Sequence, residues 1–255
     1  MKRLLWISSV TALTLLLGSC HSHYQMAGAT STRLTVDKRY DAHPDAAAER
    51  FLAPYHRQVD SIMGPVVGQL GSDMYARRPE SKLSNLLSDI LLWGAEKYHE
   101  KADFAVYNMG GIRAALAKGK VTYGDVVDVA PFENKICLVT LSGSKVKELF
   151  EQIAKRGGEG VSHGVELKIT RDGKLVSALL NGKTIDESAS YRVATLDYVS
   201  HGNDHMTAFK SATNVFSPQE EQDNVRYLIV DYLRSQAQKG VVVDCQIEGR
   251  IQIVE

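Results

Sequence analysis

A layered fold of mixed α/β (α+β) class is predicted by three features of this sequence. Apolar stripes recur at helical spacing: Leu83, Leu86, Leu87, Ile90, Leu91 and Ala95 form one, and Val146, Leu149, Phe150, Ile153 and Ala154 another. Short apolar runs of strand character, 104–107 and 136–141, lie between these stripes. Hairpin turn signals, Asp172-Gly173 and Asn181-Gly182, then punctuate residues 164–196. Helices and strands mix along the chain, with hairpins gathered in its second half, which is the pattern of elements stacked in layers around one core.

Each element has its own local reason. Leu52, Tyr55, Val59, Ile62 and Met63 share one helical face, with Pro54 expected near the helix start, where the missing N–H is tolerated. Thr122-Tyr-Gly-Asp125 has capping-box spacing and opens a short helix. Gly157-Gly158 closes the helix that carries the Val146 stripe. Residues 192–196 continue the strand pattern and feed a polar loop at 197–205. Ser217-Pro-Gln-Glu220 is expected to open a last helix through Leu228, Ile229, Tyr232 and Leu233 to about Gly240. Residues 250–254 form a closing strand.

Composition narrows the possible functions. The chain has 255 residues, 44% apolar and 24% charged, which is ordinary for a globular protein. Its 30 basic and 30 acidic side chains leave no excess cation to neutralise a phosphate backbone, so no nucleic-acid polymer is expected as partner. Three cysteines are too few for a disulfide scaffold. Cys137, inside an apolar run, reads as a buried thiol; a Cys137–Cys245 disulfide stays open.

The first residues read as an address. Lys2 and Arg3 precede an apolar run from Leu4 to Leu17, too short to span a bilayer core of ~30 Å. The run ends in Leu17-Gly18-Ser19-Cys20, which resembles the lipobox of bacterial lipoproteins, with Cys20 as the lipidation site. The expected organisation is a signal peptide at 1–19, a polar tether at 20–44 and one domain at 45–255. A lipid on Cys20 would be the membrane contact. His21, where an Asp would hint at inner-membrane retention, points to the periplasmic face of the outer membrane.

Three segments have compositions odd for a core. Asn108-Met-Gly-Gly-Ile-Arg113 follows the 104–107 strand; Gly110 and Gly111 let backbone approach a ligand, and Arg113 offers a fork for phosphate or carboxylate. Ala130-Pro-Phe-Glu-Asn134 sets an aromatic beside a proline. Tyr198-Val-Ser-His-Gly-Asn-Asp-His205 is a polar loop with one aromatic and one carboxylate.

Together and in this order they resemble the C-terminal domain of the 5'-nucleotidase family, from about Asp45 to Ile253, with 108–134 as the signature. The resemblance implies a domain that holds a nucleoside between two aromatic rings, here Phe132 and Tyr198. Asn108 would reach the base edge and Asp204 would accept from the ribose hydroxyls. Arg113 and Arg77, with Arg78 as the rival of Arg77, would face phosphate or ribose oxygens. Stacking of ~1–3 kcal/mol per ring and hydrogen bonds of ~1 kcal/mol each, less the cost of association, imply micromolar to millimolar affinity. Two departures stand out. Tyr198 replaces the usual Phe, keeping the ring face. Gly202-Asn-Asp-His-Met206 replaces Gly-Gly-Asp-Gly-Phe, losing two glycines, so a different loop backbone is expected.

The same resemblance places hydrolysis elsewhere. The family's catalytic domain holds two metals on His, Asp and Asn ligands. Here only Asp41-Ala-His43 matches one of its motifs, and it stands in the tether. No nucleophile elbow, Walker loop, Cys-x-x-Cys or His-Glu-x-x-His is present. The expectation is a hydrolase-family chain without catalytic residues, metal ligands or cofactor of its own, inactive alone. It would be the nucleotide-binding subunit of a split periplasmic 5'-nucleotidase whose divalent metals sit on a separate metallophosphatase chain. The alternatives are a nucleoside-binding lipoprotein with no enzymatic partner, and a scaffold whose pocket no longer binds.

Overall fold

The main sheet runs in the order β10-β4-β9-β2-β5, formed by Thr213–Phe216, Ile136–Ser142, Ser190–Leu196, Phe104–Tyr107 and Gly160–Val161. This computed structural model describes residues 28–255, and two units divide the chain at 1–51 and 52–255. In the first unit, residues 28–51 are all exposed, and Asp37 caps a single 3-10 turn at Lys38–Tyr40. The expected signal segment and lipidation site, residues 1–19 and Cys20, lie outside the described residues. Among the described residues no helix is long and apolar enough to cross a membrane.

Helix α1 (Ala46–Met63) begins earlier than its apolar stripe suggests. Asp45 Oδ1 accepts the N–H groups of Ala47 and Ala48, and a run of three alanines carries the helix forward. Pro54 therefore stands in the helix interior rather than near its start.

In the second unit, β4 has four consecutive buried residues, Ile136 to Val139, so both faces of the main sheet are covered at its centre. Helix α2 (Lys82–Glu96) carries the Leu83 stripe onto β2, β5 and β9; Ser81 and Ser84 cap it reciprocally. Helix α3 (Tyr123–Val129) opens at the Thr122–Asp125 capping box. Helix α4 (Gly143–Lys155) lies against β4 and β9, its Phe150 packs on Phe104 of β2 at 5.4 Å between ring centroids, and it also meets β6 (Val165–Thr170) and β7 (Leu175–Leu180). The last two strands belong to a second sheet, β11-β6-β7-β8, completed by Ile251–Val254 and Lys183–Thr184. A two-stranded sheet pairs β1 (Val66–Leu70) with β3 (Gly119–Thr122). The mixed, layered class read from the sequence is the class observed.

Both hairpin signals lie at turns. Asn181 and Gly182 have φ of 51° and 73°, the left-handed pair that a tight β7–β8 connection requires, and Gly173 has φ of 82°. Arg250 joins the two larger sheets: buried just before β11, it pairs with Asp89 of α2 at 2.7 Å and donates to the Val161 carbonyl of β5.

The last helix starts later than expected. Helix α6 spans Val225–Gln238, with Asn224 as its cap, not Ser217. Lys135 Nζ binds the carbonyls of Gln219 and Glu220, and a reciprocal cap between Glu220 and Asp223 forms a separate 3-10 turn. These contacts hold 217–220 outside the helix. The loop after β9 also opens on a short helix, α5 (Asp197–Ser200).

Candidate functional site

The site lies at one end of the main sheet because of strand register. β4 and β9 pair antiparallel with Ile136 opposite Leu196. The chain entering β4 carries Phe132, and the chain leaving β9 carries Tyr198. β2 runs parallel to β9, so its end delivers Asn108 to the same edge. A cavity of about 210 Å³ results, lined by Asn108, Gly110, Gly111, Phe132, Asn134, Tyr198 and Asp204.

The two rings are 48% and 42% exposed, and neither belongs to an aromatic pair found among the described residues. Their backbones are nonetheless fixed. Arg226, in the first turn of α6, donates to the carbonyls of Ala130 and Pro131 at 3.2 and 2.9 Å. Asp197 Oδ1 accepts the N–H groups of Lys135 and Tyr198, joining the two ring-bearing segments. Asn203 Nδ2 donates to the Tyr198 carbonyl at 2.8 Å. Exposed rings on a pinned backbone present flat apolar faces at low conformational cost.

Polar groups form another part of the lining. Asn108 is buried, and its Nδ2 donates to Asp204 Oδ2 at 2.5 Å. Its Oδ1 is buried with no hydrogen-bond partner among the described residues. A Cβ at Gly111 would stand 2.8 Å from that oxygen, so glycine is needed there for close approach. Asp204 sits in a turn closed by the Met206 N–H on the Asn203 carbonyl, and both central residues, Asp204 and His205, have positive φ (52° and 61°). His205 thus holds a left-handed backbone, a conformation that glycine adopts without steric cost.

The arginines separate. Arg113 is exposed, and its guanidinium donates to the Gly110 carbonyl at 3.4 Å. Arg77 lines a different cavity, beside Tyr75 and Lys82. Arg78 turns inward to Glu159, at 2.6 Å. Arg156 also reaches Glu159 and stands 3.8 Å from Asp204. Sequence reading passed over Asn134, Arg156, Glu159 and Arg226. Asn134 closes the Ala130–Asn134 segment and was in view. Glu159, an acid between Gly158 and Gly160, was the one signal for the buried cluster.

No group of three or more His, Cys, Asp or Glu side chains among the described residues is arranged to hold a metal ion. Cys137 and Cys245 are both free and buried, which closes the question of a disulfide between them. Burial pushes both thiols up, Cys245 to about 11.

Residues 63–211 match the family described as 5'-nucleotidase, C-terminal domain. The trifunctional nucleotide phosphoesterase protein YfkN of Bacillus subtilis is 29% identical over 241 residues, 87% of this chain and 16% of that protein. Protein UshA of Yersinia enterocolitica is 27% identical over 183 residues, 71% of this chain and 33% of that one. The crystal structure of a 5'-nucleotidase precursor from Thermus thermophilus superposes with a TM-score of 0.70 at 26% identity, covering 82% of this chain and 43% of that chain. The chain therefore spans less than half the length of each of these relatives. On the match over 63–211, the chain belongs to the 5'-nucleotidase C-terminal domain family.

Proposed function

We propose that this chain is the nucleoside- or nucleotide-binding subunit of a split 5'-nucleotidase, with the dimetal hydrolase on a separate chain. The observation that carries the reading is the pair Phe132 and Tyr198, exposed rings from distant segments that line one cavity with Asn108 and Asp204. A nucleobase has two apolar faces and a polar rim, which suits rings for the faces and an amide for the rim. Asp204 supplies a charged acceptor for ribose hydroxyls. Ligand pockets commonly run to about 300–1,000 Å³, so a cavity of about 210 Å³ suits a base and part of its sugar. The phosphate would then lie outside it, toward a partner's metals, with Arg113 as the nearer of the two predicted cations.

The chain would bind in the periplasm, held at the outer membrane by a lipid on Cys20. Adenosine and AMP titrated calorimetrically into the metal-free chain should bind with micromolar to millimolar Kd. Phosphate release from AMP should be absent with this chain alone and should rise when a metallophosphatase chain is added, beyond that chain's own rate. Binding without any such gain would leave a nucleoside-binding lipoprotein. Absence of binding by either ligand would sink the reading.

A further inference from the structure

Glu159 follows Gly157-Gly158 at the end of α4, and its side chain is fully buried. One oxygen, Oε2, accepts the backbone N–H of Met109 at 2.5 Å. The other, Oε1, accepts Arg156 Nε at 2.5 Å and Arg78 Nη2 at 2.6 Å. Arg78 also donates to the Gly158 carbonyl at 2.8 Å. A buried carboxylate is costly unless it is paired and hydrogen-bonded, and three donors meet that condition here.

The partners of Glu159 lead to the cavity by two routes. Met109 follows Asn108 and begins the turn that holds Gly110 and Gly111. Arg156 continues past Glu159 to Asp204 Oδ1, while Asp204 Oδ2 takes the Asn108 amide. Asn108, Met109, Glu159, Arg156 and Asp204 thus close a ring. Two cations, Arg78 and Arg156, balance two anions, Glu159 and Asp204, and Asp204 is the anion that lines the cavity. Every carboxylate oxygen of Glu159 and Asp204 has a partner in this ring, which restricts both acids, while Asn108 Oδ1 stays without one among the described residues.

We propose that Glu159 is a positioning residue, which through Met109 and Arg156 sets Asn108 and Asp204 for a ligand and so sets the preference for a ribose bearing hydroxyls. This rests on the nucleoside reading above. Glu159 touches no ligand itself. Severing the ring at Arg156 would leave Asp204 held by Asn108 alone, free to turn away from the sugar; severing it at Glu159 would release Arg156 and the Met109 N–H from the carboxylate that aims them at Asp204 and Asn108.

The test is calorimetric titration of adenosine and 2',3'-dideoxyadenosine into the full chain and its E159Q and R156M variants. The native chain should prefer adenosine by about tenfold or more, the value of a hydrogen bond to a charged group. In both variants that preference should fall to about threefold or less. Simple destabilisation would weaken both ligands alike and leave the ratio unmoved, so retention of the native ratio overturns the proposal. If E159Q does not fold, R156M decides, because that side chain is 21% exposed and at the edge of the cluster. A native chain that binds both ligands equally also overturns the proposal. A native chain that binds neither removes the nucleoside reading itself.

Discussion

Asn108 and Asp204, 96 positions apart in sequence, meet in a hydrogen bond of 2.5 Å from amide Nδ2 to carboxylate Oδ2. The bond joins the turn after β2 to the loop after α5, and so links two segments of the cavity lining. Removing the acid takes away the charged acceptor for a sugar and leaves a buried amide donor unpaired. D204A should weaken adenosine by roughly 10- to 150-fold, the equivalent of ~1.5–3 kcal/mol. Calorimetry against the native chain measures it, and an unchanged Kd would count against Asp204 as a ligand contact.

The two rings should separate binding from stability. Both are about half exposed, so F132A and Y198A should alter folding stability by only about 0.5 kcal/mol. Each should weaken nucleoside binding by roughly 5- to 150-fold, the value of one lost stack. Y198F keeps the ring and should bind within about threefold of native. Thermal melts beside titrations check both halves.

Gly111 is a steric requirement of the site. Its substitution by alanine would set a methyl 2.8 Å from Asn108 Oδ1, and Asn108 can move only by breaking its bond to Asp204. G111A should lower the melting temperature by roughly 2–12 °C, as overpacking does, and should weaken adenosine binding as well. At Gly110 the nearest atom to an added methyl is Asp204 Oδ2, at an ordinary 3.5 Å. G110A should melt as the native chain does.

His205 offers the opposite test. Its side chain is exposed and its φ is 61°, a left-handed conformation that L-residues adopt at a cost of ~1–2 kcal/mol. H205G removes that cost and adds a smaller loss of unfolded-chain entropy. The melting temperature should rise by roughly 1–4 °C, with adenosine affinity retained. A fall in melting temperature would show that the imidazole contributes more than its backbone costs.

Alkaline pH should destabilise the fold. Burial, and next the charge of Asp89, push the Cys245 thiol up to about 11, against 9.0 when unfolded. Burial also raises Cys137, Tyr98, Tyr107 and Tyr232. Between pH 9 and 11 the unfolded chain releases the Cys245 proton that the folded chain keeps. The stabilisation is thus complete below pH 9 and is lost as pH rises toward 11. Urea midpoints should fall across that window, and C245A should flatten the fall in part, since the tyrosines continue it. At pH 8 both thiols should resist alkylation until the chain unfolds.

Much of the architecture was legible because its causes are local. The Leu83 and Val146 stripes mark α2 and α4 through contacts three and four residues apart. Thr122 and Asp125 cap one helix start by themselves. Asn181-Gly182 accepts the left-handed backbone of its turn without help. At the last helix a distant side chain intervened, since Lys135 holds 219 and 220 out of α6; at α1 the cause is local, since Asp45 and the alanines after it start the helix well ahead of Pro54.

By itself, the sequence determined the layered α/β class, which residue type and short spacing express, and the family, through the resemblance carried by its 108–134 segment. Tertiary structure alone decided that Phe132 and Tyr198 share a cavity, because that depends on Ile136 pairing with Leu196 across sixty residues. It also decided that Arg77 lines another cavity while Arg78 and Arg156 converge on buried Glu159. Neighbouring arginines look alike in one dimension; which of them turns inward is fixed by where the folded chain places a carboxylate that must be paired.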